Sequence, residues 1–136
     1  LRVSNSANWV VDGSLLAGRY PFQCPEYCES EEEGSAILRS LIREAGVTVF
    51  VCLQGELPPQ DAGWPDEGVS VPPFSGCFLP YKGRADAYAK EMGRSLSYIH
   101  MPIADLGTPG ANNLGQLLDT VISLLQDGEV VYLHCW

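Results

Sequence analysis

Positive charge is scarce in this sequence: eight Lys and Arg stand against 17 Asp and Glu, a formal net charge of −9. Nucleic acid and anionic membranes are bound through clustered cations, so neither is expected as the main partner. An anionic substrate stays open, because the local field of a pocket can oppose the net charge. No stretch approaches the roughly 20 apolar residues of a membrane span, and there is no signal-peptide pattern. An internal repeat and a clear domain boundary are missing too. So is an initiator Met: the chain starts at Leu1, and we read it as a piece of something longer. Cys24-Pro25-Glu26-Tyr27-Cys28 suggests zinc, but structural zinc usually takes four ligands from two closely spaced pairs. No second pair is present, and no metal or cofactor is expected.

What is present fits a single domain. The 136 residues, 46% of them hydrophobic, suffice to bury a core. Five cysteines at positions 24, 28, 52, 77 and 135 are odd in number and irregular in spacing. Cys52, inside the apolar run Val47–Leu53, reads as a small buried hydrophobe. A reducing, intracellular setting, hence cytoplasmic, is the simplest account.

Along the chain, Asn8–Val11 and Ser14–Leu16 flank the turn Asp12-Gly13 as a hairpin would. Gly18-Arg19-Tyr20-Pro21 breaks that pattern. Glu31-Glu32-Glu33 leads to Ser35, the expected N-cap of a helix whose apolar face carries Ile37, Leu38, Leu41, Ile42 and Ala45. Gly46 closes it. The acidic run reads as a solvated stretch favourable to the helix dipole, with a partner-binding tail as the other reading. Val47–Leu53 is the expected central strand.

Residues 54–83 form a long loop rich in Pro and Gly, with little regular structure expected. Its aromatics Trp64, Phe74, Phe78 and Tyr81 point to an ordered loop, functional or partner-binding. Tyr81, Lys82 and Arg84 make one small basic–aromatic patch, either a substrate rim or solvated surface. Arg84–Met92 reads as a short helix and Tyr98–Ile103 as a strand. Asn112 or Asn113 caps a helix bearing Leu114, Leu117, Leu118, Val121, Ile122, Leu124 and Leu125, and Gly128 ends it. Val130–Leu133 is the last strand. Strands alternating with helices predict an α/β fold with a central, mainly parallel sheet flanked by helices.

His134 and Cys135 then fall where the last strand leaves the sheet, the end at which open α/β folds bind ligands. A nucleophilic cysteine needs its thiolate, and a strand–Cys–loop–helix arrangement would supply the backbone N–H groups and helix N-terminus that favour it. The segment "VVYLHCW" resembles the start of the signature loop of cysteine-dependent protein tyrosine phosphatases, His-Cys-x-x-Gly-x-x-Arg followed by Ser or Thr. "MPIADLGTPG" (Met101–Gly110) resembles the general-acid loop of dual-specificity phosphatases, closest to the kinase-associated phosphatase group. "GSLLAGRYP" (Gly13–Pro21) and "AGVTVFVCL" (Ala45–Leu53) are similar to that group's amino-terminal half. The resemblance covers most of the chain, and residues 54–83 fit it loosely.

The resemblance implies a phosphatase-like domain over residues 1–136, incomplete at its C-terminus, because the sequence stops inside the signature loop. It implies hydrolysis of phosphotyrosine, phosphoserine and phosphothreonine on a phosphoprotein substrate, without a cofactor. Cys135 would be the nucleophile forming a phosphocysteine. Asp105 would protonate the leaving oxygen and then act as base. His134 would orient the loop and tune the thiol. The isolated 136 residues are expected to be inactive. Residue by residue, other readings stay open: Cys135 as a core thiol, Asp105 as a turn former beside Gly107-Thr108-Pro109, and His134 as a structural histidine. Asp66 in Trp64-Pro65-Asp66 matches the acid-loop letters of classical tyrosine phosphatases, but it lies 69 residues before Cys135 against 30 for Asp105; we expect a turn residue there. A non-catalytic phosphatase-like interaction or scaffold domain in a larger assembly is the alternative function.

Overall fold

A computed structural model describes residues 2–4, 7–25, 28–103 and 111–135. The chain forms, in order, β1 (Arg2–Ser4), β2 (Ala7–Val11), β3 (Leu15–Gly18), α1 (Glu31–Arg39), β4 (Val49–Gln54), β5 (Val69–Ser70), β6 (Cys77–Phe78), α2 (Lys82–Glu91), β7 (Ser97–Ile103), α3 (Ala111–Gln126) and β8 (Val131–His134). Six strands make one sheet in the order β1-β2-β3-β8-β4-β7. The last four positions run parallel, and β1 and β2 add an antiparallel edge. This is the expected α/β architecture. The hairpin turn is the one at Asp12-Gly13, where Gly13 takes φ +77° and Ser14 N–H donates to Val11 O at 3.0 Å.

β4 explains why its sequence is an unbroken apolar run. Val49 and Val51 pack with Leu117, Val121 and Val131 on one side. Phe50, one step out of phase, packs with Leu38, Leu41, Ile42, Ala85, Ala89 and Tyr132 on the other. Strand side chains alternate between faces, so α3 covers one face of the sheet and α1 with α2 the other. A strand buried on both faces has no room for polar alternation. Among the described residues no helix is long and apolar enough to cross a membrane.

The first helix differs from its expected start. Ser30, not Ser35, is the N-cap: its Oγ accepts from Glu33 N–H at 3.2 Å, and Glu31–Glu33 occupy the first turn. Acidic side chains are favourable there because they face the unpaired N–H groups. The acidic run is therefore part of the helix. Ser35 lies buried and accepts from Arg84 Nη1 at 3.0 Å. A π-helical turn, Ser40–Glu44, continues the helix and buries Leu41 and Ile42.

Within residues 54–83, Gln54 ends β4 and Lys82 begins α2; between them, residues 55–81 hold the short antiparallel ladder β5–β6 and are otherwise irregular. They are stitched to the domain by specific groups. Leu57, Phe78 and Tyr81 are core residues, while Trp64 Nε1–H, donating to Pro59 O at 2.8 Å, braces the segment internally. The Gln60 amide accepts from the Tyr81 N–H at 2.7 Å and donates to Tyr20 OH at 3.2 Å. Gly68 is required: at φ +89° it passes so close to Phe78 that a Cβ would strike the Phe78 carbonyl.

Candidate active site

β8 is wedged between β3 and β4, parallel to both. His134 is in register with Gly18 on one side and Cys52 on the other. The expected strand Val130–Leu133 is shifted by one residue, so His134 is its last member and Cys135 the first residue beyond it. Three parallel strands thus end together around Cys135, the carboxyl edge where α/β sheets bind ligands. Cys135 is exposed, whereas His134 is buried at 1% exposure.

Alternation along β8 puts His134 on the same face as Tyr132, against three aromatic rings. Tyr20 and Tyr81 meet it edge-on at centroid distances of 5.6 and 5.5 Å, and Tyr132 stacks on it at 5.7 Å. Its Nε2 shares a 2.8 Å hydrogen bond with the Tyr81 hydroxyl. Its Nδ1 is buried with no hydrogen-bond partner among the described residues. Burial is the main force on this imidazole and pushes its pKa down to about 3, with the Cys135 backbone opposing the shift and His100 adding slightly to it. The ring is neutral at physiological pH. Burial also holds the hydroxyl pKa values of Tyr20, Tyr81 and Tyr132 above their usual range, so the whole cluster is uncharged.

The rings are themselves anchored. Tyr20 OH donates to Leu79 O at 2.6 Å, and Tyr132 OH donates to Arg19 O at 2.5 Å. Histidine at the strand end is thereby fixed from two directions, by the segment after β3 and by the residue that opens α2. Sequence reasoning did not single out Tyr20 or Tyr81 as partners of His134. Each follows or precedes a proline, and no periodicity tied them to a residue so distant in the chain.

Two cysteines sit at this end of the sheet in unlike surroundings. Cys52, buried in β4, has its thiol pKa pushed up to about 11, chiefly by burial; a backbone hydrogen bond at Gln54 opposes this, and Glu56 and Cys135 add to it. It stays a thiol at neutral pH. Cys135 is exposed, one residue past the strand. Asp105 lies outside the described residues. Asp66 is exposed, in a turn closed by Gly68 N–H donating to Pro65 O at 2.9 Å.

The basic–aromatic patch does not survive as a unit. Tyr81 is core, Lys82 pairs with Asp86 at 2.7 Å, and Arg84 pairs with Glu31 while lying over the Phe22 ring. Each charge is used within or between the helices. Among the described residues no three His, Cys, Asp or Glu side chains are grouped to hold a metal ion.

No protein-family model matches the chain, and no curated protein matches it in sequence. Solved structures do match its fold. The protein tyrosine phosphatase Tk-PTP in its active form aligns over 96% of this chain with a TM-score of 0.52 and 20% identity. A mutant form of Tk-PTP gives 0.50 and 21% over the same 96%. PTPMT1 in complex with PI(5)P gives 0.51 and 14% over 91%. The chain spans 62%, 60% and 58% of the lengths of these three structures. At such identities the likeness is one of fold, and the chain has the α/β fold of these tyrosine phosphatases.

Proposed function

We propose that the natural protein carrying this sequence is a cysteine-dependent protein phosphatase, acting on phosphotyrosine, phosphoserine and phosphothreonine. The observation that carries this reading is the position of Cys135. It is an exposed thiol at the carboxyl edge of the inner strand β8, directly after a buried histidine, in a sheet with the tyrosine phosphatase fold. Cys135 Sγ attacks phosphorus, and the bond from phosphorus to the substrate oxygen breaks as Asp105 delivers a proton to that oxygen. Asp105 then takes a proton from water, which attacks the phosphocysteine; the S–P bond breaks, and inorganic phosphate leaves with the thiolate restored.

His134 acts as a positioning residue. Its neutral, aromatic-packed ring fixes the direction in which the chain leaves β8, and so the place of Cys135. No cofactor enters the scheme. The resemblance to the kinase-associated phosphatases suggests a phosphoprotein substrate. Residues 58–61, which line a cavity with Cys52 and His100, make the 54–83 segment the proposed contact with such a partner.

The test is hydrolysis of a small aryl phosphate by the natural protein. Cys135→Ser should abolish it, Asp105→Asn should slow it by roughly 10²–10⁴-fold, and Asp66→Asn should leave it nearly unchanged. A natural protein with no Cys135-dependent turnover would point instead to the non-catalytic interaction domain.

A further inference from the structure

Two further thiols lie on the connection between β3 and α1. Cys24 and Cys28 face each other across an isolated antiparallel bridge. Cys24 N–H donates to Cys28 O at 2.9 Å, and Cys28 N–H donates to Cys24 O at 3.3 Å. Residues that exchange both bonds in this way have Cα atoms about 5.5 Å apart and side chains on the same face. A disulfide spans Cα separations of roughly 4.4–6.8 Å. Both residues are 2% exposed, and both are thiols in this structure. Together with Cys77 they line a cavity of about 270 Å³, bordered also by Glu29 and Ser75. A small neutral oxidant fits a space many times the ~30 Å³ share of a water molecule.

We propose that Cys24 and Cys28 form a reversible disulfide when the protein meets a peroxide. One of the two sulfurs, as its thiolate, attacks one peroxide oxygen, the O–O bond breaks, and the departing hydroxide takes up a proton as water, leaving that cysteine as a sulfenic acid. The other sulfur then attacks it; the S–S bond forms, the S–O bond breaks, and a second water leaves. Two thiols are oxidised, and one hydrogen peroxide is reduced to two waters. The Cys28 S–H donates to Ser30 O at 3.4 Å, and that bond is given up when the pair closes. Closing the bond draws the Cβ atoms from the roughly 4.5–5.5 Å of such a pair to the roughly 3.5–4.5 Å of a disulfide.

The position gives the bond a consequence. The same connection carries Tyr20, which packs on His134, and Gln23, whose carbonyl accepts from Leu79 N–H at 3.1 Å. Closing the pair ties this connection to itself beside the strand end that bears Cys135.

The assay uses the chain's own cleavage pattern. Trypsin releases Tyr20–Arg39 as one peptide holding Cys24 and Cys28 and no other cysteine, whereas Cys52 and Cys77 fall together in Glu44–Lys82. After treatment of the folded protein with hydrogen peroxide and alkylation, Tyr20–Arg39 should appear unalkylated and lighter by two hydrogens. Dithiothreitol should restore two alkylatable thiols. Cys24→Ser should leave Cys28 open to alkylation, and Cys77→Ser should not change the outcome. A fully alkylated Tyr20–Arg39 after oxidation would overturn the proposal, as would its main recovery cross-linked to Glu44–Lys82.

Discussion

Acid should unfold this protein partly through one histidine. The ring of His134 is held neutral with a pKa of about 3, against an ordinary 6.5. Below about pH 6.5 the unfolded chain binds a proton here that the folded chain refuses, so stability is complete above that pH and is lost as pH falls through it towards the folded value. The slope approaches 1.36 kcal/mol per pH unit for a single proton. Going from about pH 7 to about pH 5, the loss is of order 2 kcal/mol, a large share of the roughly 5–15 kcal/mol of a small domain. The groups packed on the ring, Tyr20, Tyr81 and Tyr132, stay protonated throughout this range and do not blur it. Urea unfolding of the chain and of His134→Asn at both pH values isolates the effect, since carboxylate titration is common to the two. The variant should be less stable at pH 7 and lose about 2 kcal/mol less on acidification. Equal losses in the two proteins would show that His134 is not held neutral by burial.

Tyr81→Phe should cost about 1–3 kcal/mol in the same unfolding experiment, because it leaves the buried Nε2 of His134 without its hydrogen bond; a silent change would mean the pair is not formed. Ser30→Ala should cost about 1 kcal/mol through loss of the N-cap, seen as a lower urea midpoint, and a residue outside the helix would show no such effect. Gly68→Ala should lower the melting temperature markedly, since the backbone is left-handed there and the Phe78 carbonyl occupies the space a methyl needs; an unchanged melting temperature would count against the tight approach of β5 to β6.

Elements with strong periodicity were legible without coordinates. The Asp12-Gly13 hairpin, the apolar β4 and the last strand all lie where their residues predicted, within two or three positions. The α3 helix was legible as a helix but not in its facing. Seven apolar side chains were marked on it, yet Leu117 and Val121 are buried while Leu114, Leu118 and Ile122 are half exposed. Only the position of the sheet decides which stripe is covered. The apolar periodicity begins only at Ile37 and so pointed to Ser35, whereas the helix starts one turn earlier, with the three glutamates in its first turn and Ser30 as its cap. At the site, His134 and Cys135 were visible as the end of a strand. The cage of Tyr20, Tyr81 and Tyr132 was not, since its members converge from separate connections. Tyr81 and His134 are 53 residues apart, and nothing local in the sequence links them. Around Tyr81 the sequence left a substrate rim or solvated surface open; in the fold Tyr81 is core, while Lys82 and Arg84 stay at the surface and pair with Asp86 and Glu31.

The central claim, that Cys135 is the nucleophile, is tested most directly by trapping the intermediate. The natural protein is mixed with an aryl phosphate, quenched within the first turnover and weighed intact, then mapped by peptide. The account predicts a mass gain of one phosphoryl group on the peptide that contains Cys135, absent in Cys135→Ser. Turnover with no phosphoryl group on that peptide, or with the group on another residue, would contradict it.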